Sequence, residues 1–273
     1  MEDYSEILDL AIATARKAGN FVREARKAGL HIDAKSRIDF VSDKDRMSED
    51  MIREAIHNKF PSHLFFGEES VYGETLEDEA RQIREFKDED YIWVVDPIDG
   101  TVNYIHDYPQ YAISIAVVHH REIVVGVIYD AFRQETFYAQ KGGGAFMDGV
   151  PIHVSMTELA ADSIITTSMP TFSMKVRDEM VMRLPDVADG FQSMRIWNCA
   201  AVSLASVACG RTDANYESGI HIWDMAAGVV IVREAGGAVS QLNGGEYELT
   251  QMDVIATNGK IHCETVGILN VKH

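Results

Sequence analysis

Positive charge is scarce in this chain. Against 43 Asp and Glu it sets only 25 Lys and Arg, a formal net charge of −18, and a surface so biased repels DNA, RNA and anionic lipid at long range. No nucleic-acid partner and no membrane partner is expected. Cysteine is scarcer still: Cys199, Cys209 and Cys263 are odd in number and lack CxxC spacing. That argues against a disulfide framework and a thiolate zinc site, and it fits a reducing, cytoplasmic setting. No apolar run approaches the roughly 18 residues that a membrane-spanning helix needs. The opening MEDYSEILDLAIATARKAGNF carries early acids with apolar residues at helical spacing, so neither a signal peptide nor a transit peptide is expected there. Internal repeats and low-complexity tracts are missing too. What remains is ordinary for a globular protein: 273 residues, 46% hydrophobic and 25% charged, enough for a large core in one big domain or two lobes. An acidic chain can still act on anionic small molecules if metal cations invert the local field.

The stretch 91–101, YIWVVDPIDGT, organises the rest. Aromatic and β-branched residues at 91–95 predict a buried strand that stops at Asp96-Pro97, since proline cannot donate a ladder hydrogen bond. The strand delivers Asp96 to its carboxyl end, and Asp99, Gly100 and Thr101 follow within one turn. Open α/β sheets bind ligands at such places, although a plain Asp-Gly turn would read the same way.

Upstream, Ile7, Leu8, Ala11, Ile12, Ala15, Ala18 and Val22 recur at three- and four-residue steps. They predict an amphipathic helix over residues 3–28, ended near Gly29. A short extended piece then leads into a second helix that carries Asp43 and Asp45 near its start and stops at Pro61. Capping alone accounts for an acid there. Leu64-Phe65-Phe66 predicts a strand that hands Glu68 and Glu69 to its end. Residues 74–90, dense in charge, predict a solvent-facing helix or loop without chemistry.

Downstream, 111–119, 122–130 and 135–140 predict three strands, two of them joined as a tight hairpin, with an Asp148-Gly149 turn after them. His119 and His120 are not expected to share a cation, because adjacent strand side chains point to opposite faces. The second half alternates a strand at 163–167, helices at 172–184 and 199–209, and a strand at 213–216. A small-residue helix follows, beginning near Asp224 and ending at Gly236-Gly237.

Asp45, Glu68, Asp96, Asp99 and Asp224 are thus acids at element ends, hard oxygen donors suited to magnesium, calcium or manganese. If four of them converge within about 5 Å, repulsion at about 3 kcal/mol per pair forbids full ionisation without cations.

The sequence resembles the inositol monophosphatase family of magnesium-dependent sugar phosphatases. VVDPIDGTVNYIH and WDMAAGVVIVREAGG are similar to its two signatures, and DFVSDKD, PSHLFFGEES and KGGGAF followed by Asp-Gly extend the likeness over nearly the whole chain. The resemblance implies a layered α/β/α/β/α sandwich of the α+β class. It implies one catalytic unit with two lobes, roughly 1–145 and 146–273, in a homodimer. It also implies hydrolysis of inositol 1-phosphate with Mg2+, two or three ions per site, and sensitivity to lithium. Glu68, Asp96, the Ile98 carbonyl, Asp99 and Asp224 would bind the ions; Asp45 and Thr101 would activate water, with Glu68 counted among the catalytic groups. Gly100, Thr101, Glu217 and Asn198 would face the substrate, a small phosphorylated polyol or sugar. Gly100 and Thr101 would open a helix whose free N–H groups receive phosphate.

One segment departs from the family pattern: Arg195-Ile196-Trp197-Asn198 places Asn198 where the family has glycine. Trp197 and Asn198 there would either narrow the pocket or offer a flat face and an amide to a ring such as adenine. Fructose 1,6-bisphosphate, the 2′-phosphate of NADP and adenosine 3′,5′-bisphosphate therefore stand as alternative substrates. A non-catalytic metal-binding regulatory protein is the alternative from another class, and the joint presence of Asp45 and Thr101 weighs against it.

Overall fold

In the computed structural model, which describes residues 2–28, 32–34, 40–71, 75–169 and 173–271, the apolar stripe of the first segment winds into α1 (Ser5–Ala28). Its buried face carries Ile7, Ala11, Ala15, Ala18 and Val22; its expected stop at Gly29 lies outside the described residues. An antiparallel pair, β1 (Ile32–Ala34) and β2 (Phe40–Ser42), leads directly into α2 (Asp43–Lys59).

The larger sheet contains β3 (Leu64–Gly67), β4 (Ile92–Asp99), β5 (Ala112–His119), β6 (Glu122–Asp130), β7 (Glu135–Gln140), β8 (Ala145–Met147) and β9 (Val150–Pro151), side by side in chain order. β3 and β4 are parallel and the later pairs antiparallel. α3 (Leu76–Arg84) and the short α4 (Thr101–Ile105) sit in the connections on either side of β4. The smaller sheet has the order β11-β10-β12-β14-β13. It is built from β10 (Ile164–Thr167), β11 (Ser193–Ile196), β12 (Ala214–Ser218), β13 (Ala238–Ser240) and β14 (Asp253–Thr257), with α5 (Met174–Gly190), α6 (Ala200–Ala208), α7 (Ile222–Glu234) and α8 (His262–Leu269) between and after them.

Five layers result. α1 and α2 cover one face of the larger sheet over Trp93, Val95, Ile113, Ile115 and Val117. The opposite face, with Ile92, Val94, Ala116 and Val118, packs on α6 and α7, which fill the space between the two sheets. α5 and α8 close the outer face of the smaller sheet. Because β4 and β5 are buried on both faces, they read as unbroken apolar runs rather than alternating ones. Small residues let the middle layer come close: a Cβ on Gly126 would stand 2.5 Å from the Ala227 carbonyl oxygen of α7.

Three elements differ from expectation. β4 does not stop at Asp96 but runs through Pro97 to Asp99. Its pairing with β3 ends at Val95 and its β5 register shifts between Asp96 and Asp99, so the proline lies at a free edge and a bulge, where a missing N–H costs little. α5 passes through Pro185 instead of ending at Leu184; Met180 and Val187, both fully buried on one face, hold the helix on either side of the proline. The predicted start of that helix, at 172, lies outside the described residues. Residues 74–90 are not wholly solvent-facing, for α3 buries Glu79, Ala80 and Ile83. No helix among the described residues is long and apolar enough to cross a membrane.

Candidate active site

In a regular strand, side chains three residues apart point to opposite faces. The bulge after Asp96 inserts the extra residue that turns Asp99 back to the side of Asp96. Asp224, in the first turn of α7, completes the group: one carboxylate oxygen from each of the three lies within 4.8 Å of the others. Asp96 and Asp99 are buried, at 2% and 7% exposure. Burial pushes the Asp96 pKa well above the usual carboxylate range, and the charges of Glu68, Asp99 and Asp224 push it further. Asp99 is raised by burial and by Asp224, although the Ala201 N–H and the Cys199 thiol oppose the shift. Asp224 is pushed up to about 6 by burial; the His221 charge works against the shift and Glu68 adds to it. At such spacing each pair of charges repels by about 3 kcal/mol at an effective dielectric of 20. The cluster therefore keeps protons or takes cations.

Among the described residues the tight cluster has three acids. Glu68 stands beside it, on the one-turn helix Glu68–Ser70 at the end of β3, and is the charge that acts most strongly on Asp96. That turn is held by Glu49, whose Oε2 accepts from the Glu69 N–H at 2.8 Å. Asp45, 1% exposed in the first turn of α2, meets Thr101 instead. The Thr101 hydroxyl has Asp45 Oδ1 at 3.3 Å and the Ile98 carbonyl oxygen at 3.0 Å as acceptors. Gly100 links the acids to this hydroxyl in a left-handed conformation, φ 82°, which glycine adopts without a Cβ clash. A Cβ there would also stand 2.7 Å from the Gln110 carbonyl oxygen. α4, at five residues, is too short to offer an anion more than a weak dipole.

Capping does not exhaust these carboxylates. Asp99 Oδ2 accepts from the Ala201 N–H at 2.6 Å at the start of α6, and Asp224 Oδ2 accepts from the His221 N–H at 2.9 Å at the start of α7. Each carboxylate retains lone pairs for a cation. Hard oxygen donors, deep burial and surplus negative charge suit Mg2+; the Glu68 charge acts on the same cluster, and the Ile98 carbonyl oxygen accepts from the Thr101 hydroxyl.

Glu217, 1% exposed on β12, accepts from the Ser168 N–H at 2.9 Å, the Ser168 hydroxyl at 3.1 Å and the Asn215 amide at 3.0 Å. Burial still lifts its pKa to about 7, against these hydrogen bonds. Asn198 has φ 51°, which explains its exchange with glycine, since asparagine tolerates the left-handed region better than most residues. Its Oδ1 accepts from the Met169 N–H at 2.8 Å, and Trp197 packs against the central core. The Asn198 side-chain oxygen is thus committed to structure.

Sequence reasoning missed Glu79 and Asn103. Glu79 Oε1 accepts from the Ile222 N–H at 2.8 Å and Oε2 lies 2.5 Å from His221 Nδ1, so α3 caps the helix that carries Asp224. Burial lowers the His221 pKa, but Glu79, Asp224 and Glu68 together hold it above its ordinary value. The signal was present: Leu76, Ala80 and Ile83 form a helical apolar stripe, and Glu79 lies on it. Asn103 donates to the carbonyls of Gln110 and Trp197, both at 2.8 Å, tying α4 to the departing segment; nothing in its sequence neighbourhood announces that role.

The sequence profile of the inositol monophosphatase family matches residues 3–270. Human inositol monophosphatase 1 is 35% identical over 271 residues, covering 97% of this chain and 94% of that protein. The Nus factor SuhB of Pasteurella multocida is 35% identical over 257 residues, covering 93% and 92%. The crystal structure of the extragenic suppressor protein suhB from Bartonella henselae superposes with a TM-score of 0.87 at 32% identity, covering 98% of this chain and 100% of that one.

Proposed function

The chain belongs to the inositol monophosphatase family, a family of phosphomonoesterases, and from that premise we propose that it hydrolyses inositol 1-phosphate to inositol and phosphate with Mg2+. The carrying observation is the meeting of Asp96, Asp99 and Asp224 within 4.8 Å in a setting that raises their pKa values. Together with Glu68 and the Ile98 carbonyl they would hold two or three ions. When bound, magnesium supplies positive charge for the phosphate oxygens and a water acidified to serve as nucleophile. Asp45 accepts from Thr101, so the carboxylate would take the threonine's own proton as the threonine oxygen orients that water and accepts one from it. Gly100 lets the backbone approach the phosphate closely. Glu217 has three donors on about four acceptor sites, so room remains for one hydroxyl of a polyol.

The same reading takes residues 1–273 as a single catalytic unit of two lobes, homodimeric, lithium-sensitive and cytoplasmic. Phosphate release in Mg2+ from inositol 1-phosphate, fructose 1,6-bisphosphate, NADP and adenosine 3′,5′-bisphosphate tests it. Inositol 1-phosphate should give the largest kcat/KM, and EDTA should abolish turnover. A preference for NADP of about tenfold, worth about 1.4 kcal/mol of transition-state binding, would replace the inositol assignment; no turnover of any phosphomonoester would leave a metal-binding protein.

A further inference from the structure

His119 and His120 were expected to point apart, and they do not. β5 ends at His119, and His120 (φ 50°) with Arg121 (φ 58°) makes the two-residue turn into β6, so strand alternation no longer applies to the second ring. The two ring centroids lie 3.8 Å apart. Such turns favour Asn-Gly, because both central residues need positive φ; here the tighter choice is given up for an imidazole.

We propose that Glu2, His119 and His120 form a second metal site, for a borderline divalent cation such as Zn2+, Ni2+ or Cu2+, which clips the start of α1 to the end of the larger sheet. One donor atom from each residue lies within 4.8 Å of the others. Glu2 Oε2 is 3.2 Å from His119 Nδ1 and 3.7 Å from His120 Nε2. Ligands at about 2.1 Å in a tetrahedral shell stand about 3.4 Å apart, so small rotations of the exposed Glu2 and His120 side chains suffice. His119 is the fixed member: it is 4% exposed, stacked on Tyr91 at 3.7 Å and met edge-on by Tyr4 at 6.0 Å. The Tyr4 hydroxyl donates to Glu2 Oε2 at 2.6 Å, the kind of outer hydrogen bond that orients a ligating carboxylate. A cavity of about 210 Å³ opens onto the group, lined also by Glu122 and Lys141, which pair with each other, leaving space for water as a fourth ligand.

This site is separate from the carboxylate cluster. Ala112, at the other end of β5, is the residue paired with Asp99, and seven steps at about 3.4 Å put His119 roughly 24 Å away. The chemistry differs as well, since two imidazoles select borderline metals whereas an all-oxygen set suits magnesium.

Calorimetric titration of the full chain with Zn2+ in excess Mg2+, which occupies the carboxylate cluster, tests the proposal beside His120→Asn and Glu2→Gln. Asparagine suits the positive φ at 120, so that variant keeps the turn. Wild type should bind one equivalent and gain thermal stability on binding, and each variant should bind at least tenfold more weakly. In the Cu2+-loaded protein, electron spin-echo modulation should show the remote nitrogens of two imidazoles. Equal affinity in wild type and His120→Asn, no Zn2+ uptake in excess Mg2+, or a copper spectrum without imidazole modulation overturns it.

Discussion

The Thr101 hydroxyl lies 3.3 Å from Asp45 Oδ1 across 56 residues of sequence, so the first residue of α4 and the first turn of α2 meet in one hydrogen bond. If the two act as a unit, Thr101→Ala and Asp45→Asn should each lower kcat, by about 10²- to 10⁴-fold for a lost acid–base step. The double variant should then cost little more than the worse single one. Losses that multiply would show independent roles.

Asp96→Asn should reduce turnover by at least about 10²-fold, more than the loss typical of an outer-shell partner. In EDTA the variant should melt at the wild-type temperature or above, because burial and the charges of Glu68, Asp99 and Asp224 disfavour an ionised Asp96 and the amide carries no charge at any pH. An active variant, or a strongly destabilised one, contradicts the reading of Asp96 as a ligand.

Without metal, stability should fall as pH rises. The folded pKa of Glu217 is about 7 against an ordinary value of 4.5, and that of Asp224 is about 6 against 3.8. The native state therefore holds protons that the unfolded chain releases between about pH 4 and pH 7. For Glu217 alone this costs on the order of 3 kcal/mol once it is ionised. The raised pKa of His221 acts in the same direction. Melting curves in EDTA from about pH 5 to about pH 8 should show a falling Tm, and the gain from Mg2+ should grow over the same range. A Tm that rises in EDTA would refute the assignment of these shifts.

Choice of substrate should follow Glu217. A carboxylate already held by Ser168 and Asn215 loses most when a substrate lacks the matching hydroxyl. Glu217→Gln should lower kcat/KM for inositol 1-phosphate by about tenfold or more while sparing NADP; equal harm to both would make the residue structural. Asn198→Gly should fold normally, since φ there is 51°. Asn198→Ala should destabilise by about 1–2 kcal/mol through the left-handed backbone, beyond any loss from the Met169 hydrogen bond.

Glu79→Ala should destabilise the protein by roughly 2 kcal/mol, because it leaves the buried Ile222 N–H and His221 without their acceptor. The Mg2+ concentration for half-maximal activity should rise as well, since Asp224 sits on the helix so uncapped. An effect on Tm alone would confine Glu79 to capping.

Much of this was legible in the chain itself. Asp96, Asp99 and Asp224 could be named because local rules place them: an apolar run forces a strand whose end carries the first two, and a small-residue helix begins near the third. The strands at 122–130 and 135–140 lie where their apolar patterns put them. Segments defined by partners were harder to see. β9, at two residues, carries too little pattern to stand out, and β4 passes its proline only because β3 has already ended.

The sequence by itself determined the elements, the family resemblance and the residue types of the site, since periodicity and motif are properties of neighbours along the chain. Tertiary structure decided which acids converge. A bulge put Asp99 on the side of Asp96, burial rather than residue type raised their pKa values, and a buried Glu79 from a charge-rich segment fixed the helix of Asp224. It also brought His119 and His120 together where strand alternation would part them. Distances between remote residues and the removal of water exist only once the layers have packed, and no local pattern encodes them.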